Sequence, residues 1–319
     1  MEGTPNNDKT RKGFSGMVYK TFDEIIEKKL KGNTKVSRIV VAAAADEHSL
    51  QAVKRAADQG LVKPVLVGDK AEIVRILGEI GLEVPDEDIY DEPDLTEAAK
   101  KAVALINEGK GDFLMKGHVD SSIYLRAVVN KETGLGKGGL MSHFAIFEAP
   151  DAYHKLIAPV DGGMVTYPTL EQKKQIIQNT VDTMIALGYD CPKVGCLACK
   201  EKVDPKMQET IEGDELKQMN QRGEITNCIV EGPIQFDLAT DAEIAKDKDY
   251  ESPCAGDCDI LLAVNIHQGN SLGKMLAGFC HAKMGGFIVG AKCPVIMTSR
   301  SSTAEEKYLS ICLAAAASL

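Results

Sequence analysis

Short runs of β-branched and apolar residues alternate along the chain with longer stretches in which apolar positions recur every three or four residues. This alternation predicts an α/β protein built on mostly parallel sheet covered by helices. The first unit is plain. Residues 38–45 read as a buried strand, 47–59 carry helical spacing, Gly60 supplies a stop and 64–67 begin the next strand, which makes a βαβ unit. Further strands are expected at 113–115, 144–147, 156–160, 193–197, 228–230, 260–264, 287–289 and 295–297. Helices are expected at 95–107, 122–131, 170–187, 214–221, 241–247, 271–283 and 303–316. No Pro/Gly/Ser-rich linker divides the pattern, and the loop at 149–153 is the best breakpoint.

Composition narrows the function. With 319 residues, 44% of them hydrophobic, the chain can fill one large domain or two ordinary ones. Its 37 basic and 47 acidic residues give a formal charge of -10 without a long basic run, which argues against nucleic acid as partner and leaves small anionic metabolites open. Residues 1–12 read as a polar tail rather than an export signal, and the longest apolar runs, 39–45 and 260–264, are strand-sized, so neither secretion nor membrane insertion is expected. Nine cysteines without a leader read as reduced thiols, which points to the cytoplasm.

Open parallel sheets bind ligands beyond the carboxyl ends of their strands, so the turns after strands are the places to look for chemistry. Three stand out. Lys116, Gly117 and His118 follow a strand, with Arg126 further along the next helix; Lys116 and Arg126 could converge on an anion while Gly117 lets backbone approach it. Thr298, Ser299 and Arg300 join a strand to the last helix and combine hydroxyls, an arginine and free amides in one anion cradle. Helix capping explains the neighbouring hydroxyls equally well, because Ser302 or Thr303 with Glu305 or Glu306 would form a capping box. The third turn is 265–274, in which Gly269 can take positive φ, Asn270 or Ser271 can cap a helix and Lys274 lies one turn along. Its spacing is not that of a nucleotide P-loop. Cys196 with Cys199, and Cys254 with Cys258, lack nearby histidines and read as neutral thiols rather than metal ligands. His118, His143 and His267 lie near these turns and are available as donors.

Taken together in their order and spacing, several motifs carry a resemblance. They include Lys116-Gly117, Leu125-Arg126-Ala127-Val128, Lys131-Glu132-Thr133-Gly134-Leu135, Met141-Ser142-His143, Gly232-Pro233, Gly269-Asn270 and Pro294-Val295-Ile296-Met297-Thr298-Ser299-Arg300. On these the chain resembles the phosphate acetyl/butyryltransferase family, its butyryl branch most, from about residue 19 to the end. The resemblance implies an acyltransferase running acyl-CoA + phosphate = acyl phosphate + CoA, with no permanently bound cofactor or metal and with CoA, acyl-CoA and phosphate as its small-molecule substrates. It implies two α/β domains like those of isocitrate and isopropylmalate dehydrogenases, with the active site in the cleft between them: residues 1–148 plus 285–319, and an inserted 149–284. It also implies a homodimer or higher homo-oligomer.

Carried over by position, the resemblance assigns catalysis to Ser299, Arg300, Arg126 and an acid a turn later, Glu305 or its neighbour Glu306, with Glu305 taken first. Lys116, Gly117, Ser142, His143, Gly269, Asn270, Lys274 and Thr298 are assigned to substrate binding. The chain departs from the family's pattern at Gly136, Val165, His267 and Gly273, the last standing where the family has tyrosine. A CoA-binding relative with little turnover, and a dehydrogenase of the same broad fold using NAD and a metal, are the alternatives.

Overall fold

The computed structural model describes residues 17–299 and 302–319; the polar tail at 1–12 and Arg300 lie outside the described residues. In chain order the first elements are α1 (Phe22–Ile25, continued by a wider-wound turn, Ile26–Leu30), β1 (Ser37–Ala42), α2 (Glu47–Asp58), β2 (Val62–Gly68), α3 (Lys70–Ile80), β3 (Ile89–Asp91), α4 (Leu95–Asn107), β4 (Phe113–Lys116), α5 (Ser121–Val128) and β5 (Ser142–Glu148). A second run follows with β6 (Ala158–Val160), α6 (Leu170–Leu187), β7 (Lys193–Leu197), α7 (Gln208–Gln221), β8 (Ile229–Ile234), α8 (Phe236–Thr240), α9 (Ala242–Asp247), β9 (Ile260–Leu262) and α10 (Ile266–Gly278). The chain then returns through β10 (Lys283–Val289), β11 (Val295–Ile296) and α11 (Ala304–Ala317). The strand-helix alternation is as the periodicity predicts; α1, α3, β3 and α8 were not anticipated.

Two sheets result. The larger has the order β3-β2-β1-β4-β11-β10-β5 and the smaller β6-β9-β7-β8. Every pair in the smaller sheet is parallel, as are the pairs from β3 through to β11 in the larger, whereas β10 runs antiparallel to both β11 and β5. The reversal at β10 and β11 follows from the short connection 290–294, which is too short for a crossover. Gly290 makes that turn with φ +82°, and a Cβ there would lie 2.3 Å from the Leu140 carbonyl.

The C-terminal helix locks this architecture. Residues 307–316 of α11 are buried all round, which is the pattern of a helix enclosed by protein rather than lying on a surface. It sits against β10, where a Cβ at Gly285 would meet Leu313 at 2.9 Å and where the Gly286 amide donates to the Ser310 hydroxyl at 3.0 Å. The Thr303 side chain and Glu306 close a reciprocal capping box that fixes where the helix begins. Expected outcome: Leu309→Ala, at a side chain 2% exposed under β10, costs about 2–5 kcal/mol of stability by chemical denaturation; a loss below about 0.5 kcal/mol would show that α11 is not a core element.

Candidate functional site

Because β1, β4 and β11 run parallel and side by side, the chain leaves the sheet at Ala42, Lys116 and Ile296 on the same edge. This is also where strand order reverses, since β2 and β3 lie to one side of β1 and β4 to the other. Gly117 follows β4 with its Cα pressed on the neighbouring turn: a Cβ would lie 2.3 Å from the Ala43 carbonyl oxygen. Lys116 is 7% exposed, and its Nζ donates to the carbonyls of Val119 at 3.0 Å and Gly117 at 3.4 Å. A crevice of about 380 Å³ opens here, bordered by Ser49, Lys116, Gly117, His118, Lys307 and the pair Thr298 and Ser299.

Thr298 and Ser299 also border a second cavity, of about 480 Å³, which lies between the two sheets. His143 of β5, Gly162 and Gly163 after β6, Gly269, Asn270 and Lys274 of α10, and Ser302 and Glu306 at the start of α11 complete its polar rim, while Ala145, Phe147, Ala277 and Met284 give it an apolar floor. Asp161 holds these pieces in register. Its buried carboxylate accepts the amides of His143 (2.9 Å), Gly163 (2.7 Å), Met164 (2.8 Å) and Val165 (3.3 Å), tying β5 to the loop that leaves β6. That loop packs on α10 so closely that a Cβ at Gly269 would lie 2.3 Å from the Asp161 carbonyl, and Asn270 donates to the Gly162 carbonyl at 3.2 Å. Burial pushes the His143 imidazole below its ordinary pKa, and the Asp161 carboxylate opposes this only in part.

Most of the residues singled out from sequence therefore converge. Thr298, Ser299, His143, Gly269, Asn270 and Lys274 line the cleft, and Lys116 and Gly117 line the adjoining crevice. Three do not join them. Ser142 points the other way along β5, fully buried, and accepts from the Asn179 side chain at 3.2 Å. Arg126 is exposed on the last turn of α5 and lines neither cavity, because Tyr124, Ala127 and Val128 form the buried face and place position 126 opposite; the expected convergence of Arg126 with Lys116 is not found. Glu305 pairs with Arg55 on the surface, and the adjacent Glu306 is the acid that reaches the cleft. Successive helical residues face about 100° apart, which separates the two acids.

Helix α10 begins earlier than expected. Asn265, not Asn270 or Ser271, caps it by accepting the amides of His267 and Gln268, so Gly269 closes its first turn and Asn270 opens the second. Where the chain departs from the family's pattern, Val165 is held through its amide, His267 meets the Tyr167 hydroxyl at 2.9 Å, and Gly273 faces Phe147 across the cavity floor. The cysteines are free thiols, and among the described residues no group of three or more His, Cys, Asp or Glu is placed to hold a metal. No helix among the described residues is long and apolar enough to cross a membrane.

The sequence profile described as phosphate acetyl/butaryl transferase matches residues 21–97 and 90–315. The chain belongs to the phosphate acetyl/butyryltransferase family. It is 41% identical over 298 residues to the phosphate butyryltransferase of Clostridium acetobutylicum, covering 93% of this chain and 98% of that one. It is 40% identical over 281 residues to the phosphate acetyltransferase of Thermotoga maritima, covering 88% and 95%. Among solved structures it is similar to a branched-chain phosphotransacylase from Enterococcus faecalis V583, with TM-score 0.76, 29% identity and coverage of 89% and 99%. A 4-hydroxythreonine-4-phosphate dehydrogenase from Klebsiella pneumoniae, at TM-score 0.54 and 14% identity over 89% of this chain and all of that one, shares the fold alone. The dehydrogenase-like α/β architecture of the transferase family is thus the architecture seen here.

The depressed pKa of His143 has a thermodynamic consequence. As pH falls through about 6.5 the unfolded chain takes up a proton that the folded imidazole resists, so stability is full above that value and declines below it. In the variant His143→Gln this part of the slope below about pH 6.5 should vanish; an unchanged slope in denaturation midpoints would show that His143 does not contribute it.

Proposed function

We propose that the cleft catalyses reversible transfer of a short acyl group between CoA and inorganic phosphate. One observation carries the reading: a single cavity brings Ser299, His143, Asn270, Lys274 and Glu306 to a common polar rim above an apolar floor. A phosphate oxygen attacks the thioester carbonyl carbon, the carbon–sulfur bond breaks, and the CoA thiolate leaves as acyl phosphate forms. Hydroxyl, amide and imidazole donors on the rim stabilise the tetrahedral oxyanion, and binding both substrates in one cleft supplies orientation. Arg300, assigned by family position, positions the phosphate. Lys274 attracts the anionic substrates, with no ion-pair partner among the described residues.

Glu306 is assigned as the proton acceptor in place of Glu305. One of its carboxylate oxygens accepts the Thr303 amide at 3.1 Å, which fixes the side chain at the lip of the cleft. The floor of Ala145, Phe147, Ala277 and Met284 suits a hydrocarbon chain, and Gly273, standing where the family has tyrosine, borders that floor so closely that a Cβ would lie 3.2 Å from the Phe147 ring, which makes the position a candidate for setting acyl length. The same reading makes the two sheets the cores of two domains, 1–148 with 285–319 and 149–284. It describes a cytoplasmic enzyme without a resident cofactor, and a homo-oligomer; Phe279, 83% exposed beside the exposed Met275 on α10, supports a covered face.

The test is release of free CoA from acetyl-, butyryl- and isobutyryl-CoA in the presence of phosphate; no release with any chain length overturns the assignment. Glu306→Gln keeps the capping box, since glutamine accepts the same amide, and should lower kcat by about 10²–10⁴. Glu305→Gln removes only a surface pair and should change kcat little; the reverse ranking would return the role to Glu305. Gly273→Tyr should shift preference from butyryl-CoA toward acetyl-CoA, and unchanged kcat/KM ratios would remove Gly273 from the acyl site.

A further inference from the structure

Four lysines among the described residues are less than a tenth exposed, and they are not equally satisfied. Lys155 lies 2.7 Å from Asp259, Lys173 lies 2.6 Å from Glu212, and Lys116 is held by two backbone carbonyls. Lys307 differs. It is 8% exposed on α11, otherwise buried among apolar residues, yet its Nζ reaches the Ser49 hydroxyl only at 3.5 Å and the nearest carboxylate oxygen, on Asp46, at 3.9 Å. Asp46 is already committed, because its carboxylate accepts both the amide and the hydroxyl of Ser49 as the cap of α2. A buried ammonium without a close acceptor is costly, which an anion arriving beside it would repair.

The space beside it is the crevice at the carboxyl ends of β1 and β4, large enough for a phosphate group and lined also by Ser49, His48 and His118. Two carboxylates share the wall, the capping Asp46 and Asp120, which precedes α5. Thr298 and Ser299 border both this crevice and the cleft, so its occupant would stand next to the reacting groups. We propose that the crevice is a binding site for a phosphate group, with the Lys307 ammonium as its cation. The proposal rests on the acyl-transfer reading for its choice among anions. The group can come from inorganic phosphate, or the acyl phosphate made from it, or from the phosphates that CoA carries.

Lys307→Met keeps an unbranched side chain, one atom shorter, and removes the charge. Since no close ion pair is lost, the ligand-free variant should melt at or above the temperature of the parent. Calorimetry with inorganic phosphate, CoA and dephospho-CoA, alongside KM for phosphate and for acyl-CoA, tests the site. Phosphate affinity weakened about tenfold or more, with KM for acyl-CoA nearly unchanged, supports inorganic phosphate as the occupant. A rise in KM for CoA, with loss of any preference for CoA over dephospho-CoA, supports the site with CoA as the source. Unchanged binding of all three overturns it, as does a crystal structure of the parent with phosphate bound in the cleft and none in the crevice. Absence of CoA release by the parent would instead sink the acyl-transfer reading, while calorimetric phosphate binding would still test the crevice.

Discussion

The cleft depends on one buried carboxylate. Asp161 accepts four backbone amides, one from β5 of the larger sheet and three from the loop that leaves β6 of the smaller one. Hydrogen bonds to an ionised acceptor are among the stronger ones available to a protein, and stripping a buried donor of its partner costs more than the bond is worth when made. The position of His143 on one wall, the Gly162–Gly269 contact behind it and the anchoring of Asn270 all follow from that knot. Short side chains make it possible: with a Cβ at Gly269, α10 could not approach the Asp161 carbonyl.

Around that knot the molecule separates charge from hydrocarbon. The rim of the cleft carries hydroxyls, an imidazole, an amide and an acid, whereas its floor is apolar, an arrangement that seats a molecule with one reactive polar end and one greasy end. The two acids at the start of α11 show how finely this is drawn. Glu305 turns outward to Arg55, and Glu306, one residue on, both caps the helix and faces the cleft.

The fold was largely legible because period and length separate its elements: residues 95–107, 170–187 and 193–197 form the elements that their apolar spacing predicts. Boundaries failed where several residues could serve one purpose. Asn265, Asn270 and Ser271 are all competent helix caps, and only the observed pairing of the Asn265 side chain with two amides decides among them. In the site, the turns after strands were legible from strand ends alone. The orientation of Ser142, Arg126 and Glu305 was not, since it depends on which face of each element the core takes. Asp161, an acid before two glycines, has the sequence context of a local acceptor of backbone amides; that it also binds an amide from a distant strand is a tertiary fact. Lys307 carried no signal at all, because a lysine in a helix is ordinarily exposed.

Thr298 and Ser299 form the common wall of two cavities, at the tip of a strand only two residues long and just before the last helix. Two sites that share a wall have linked binding free energies: whatever displacement of that wall favours the occupant on one side favours or penalises the occupant on the other by the same amount. With an occupant on each side, this turn is therefore where the affinity of one for the protein would depend on the other.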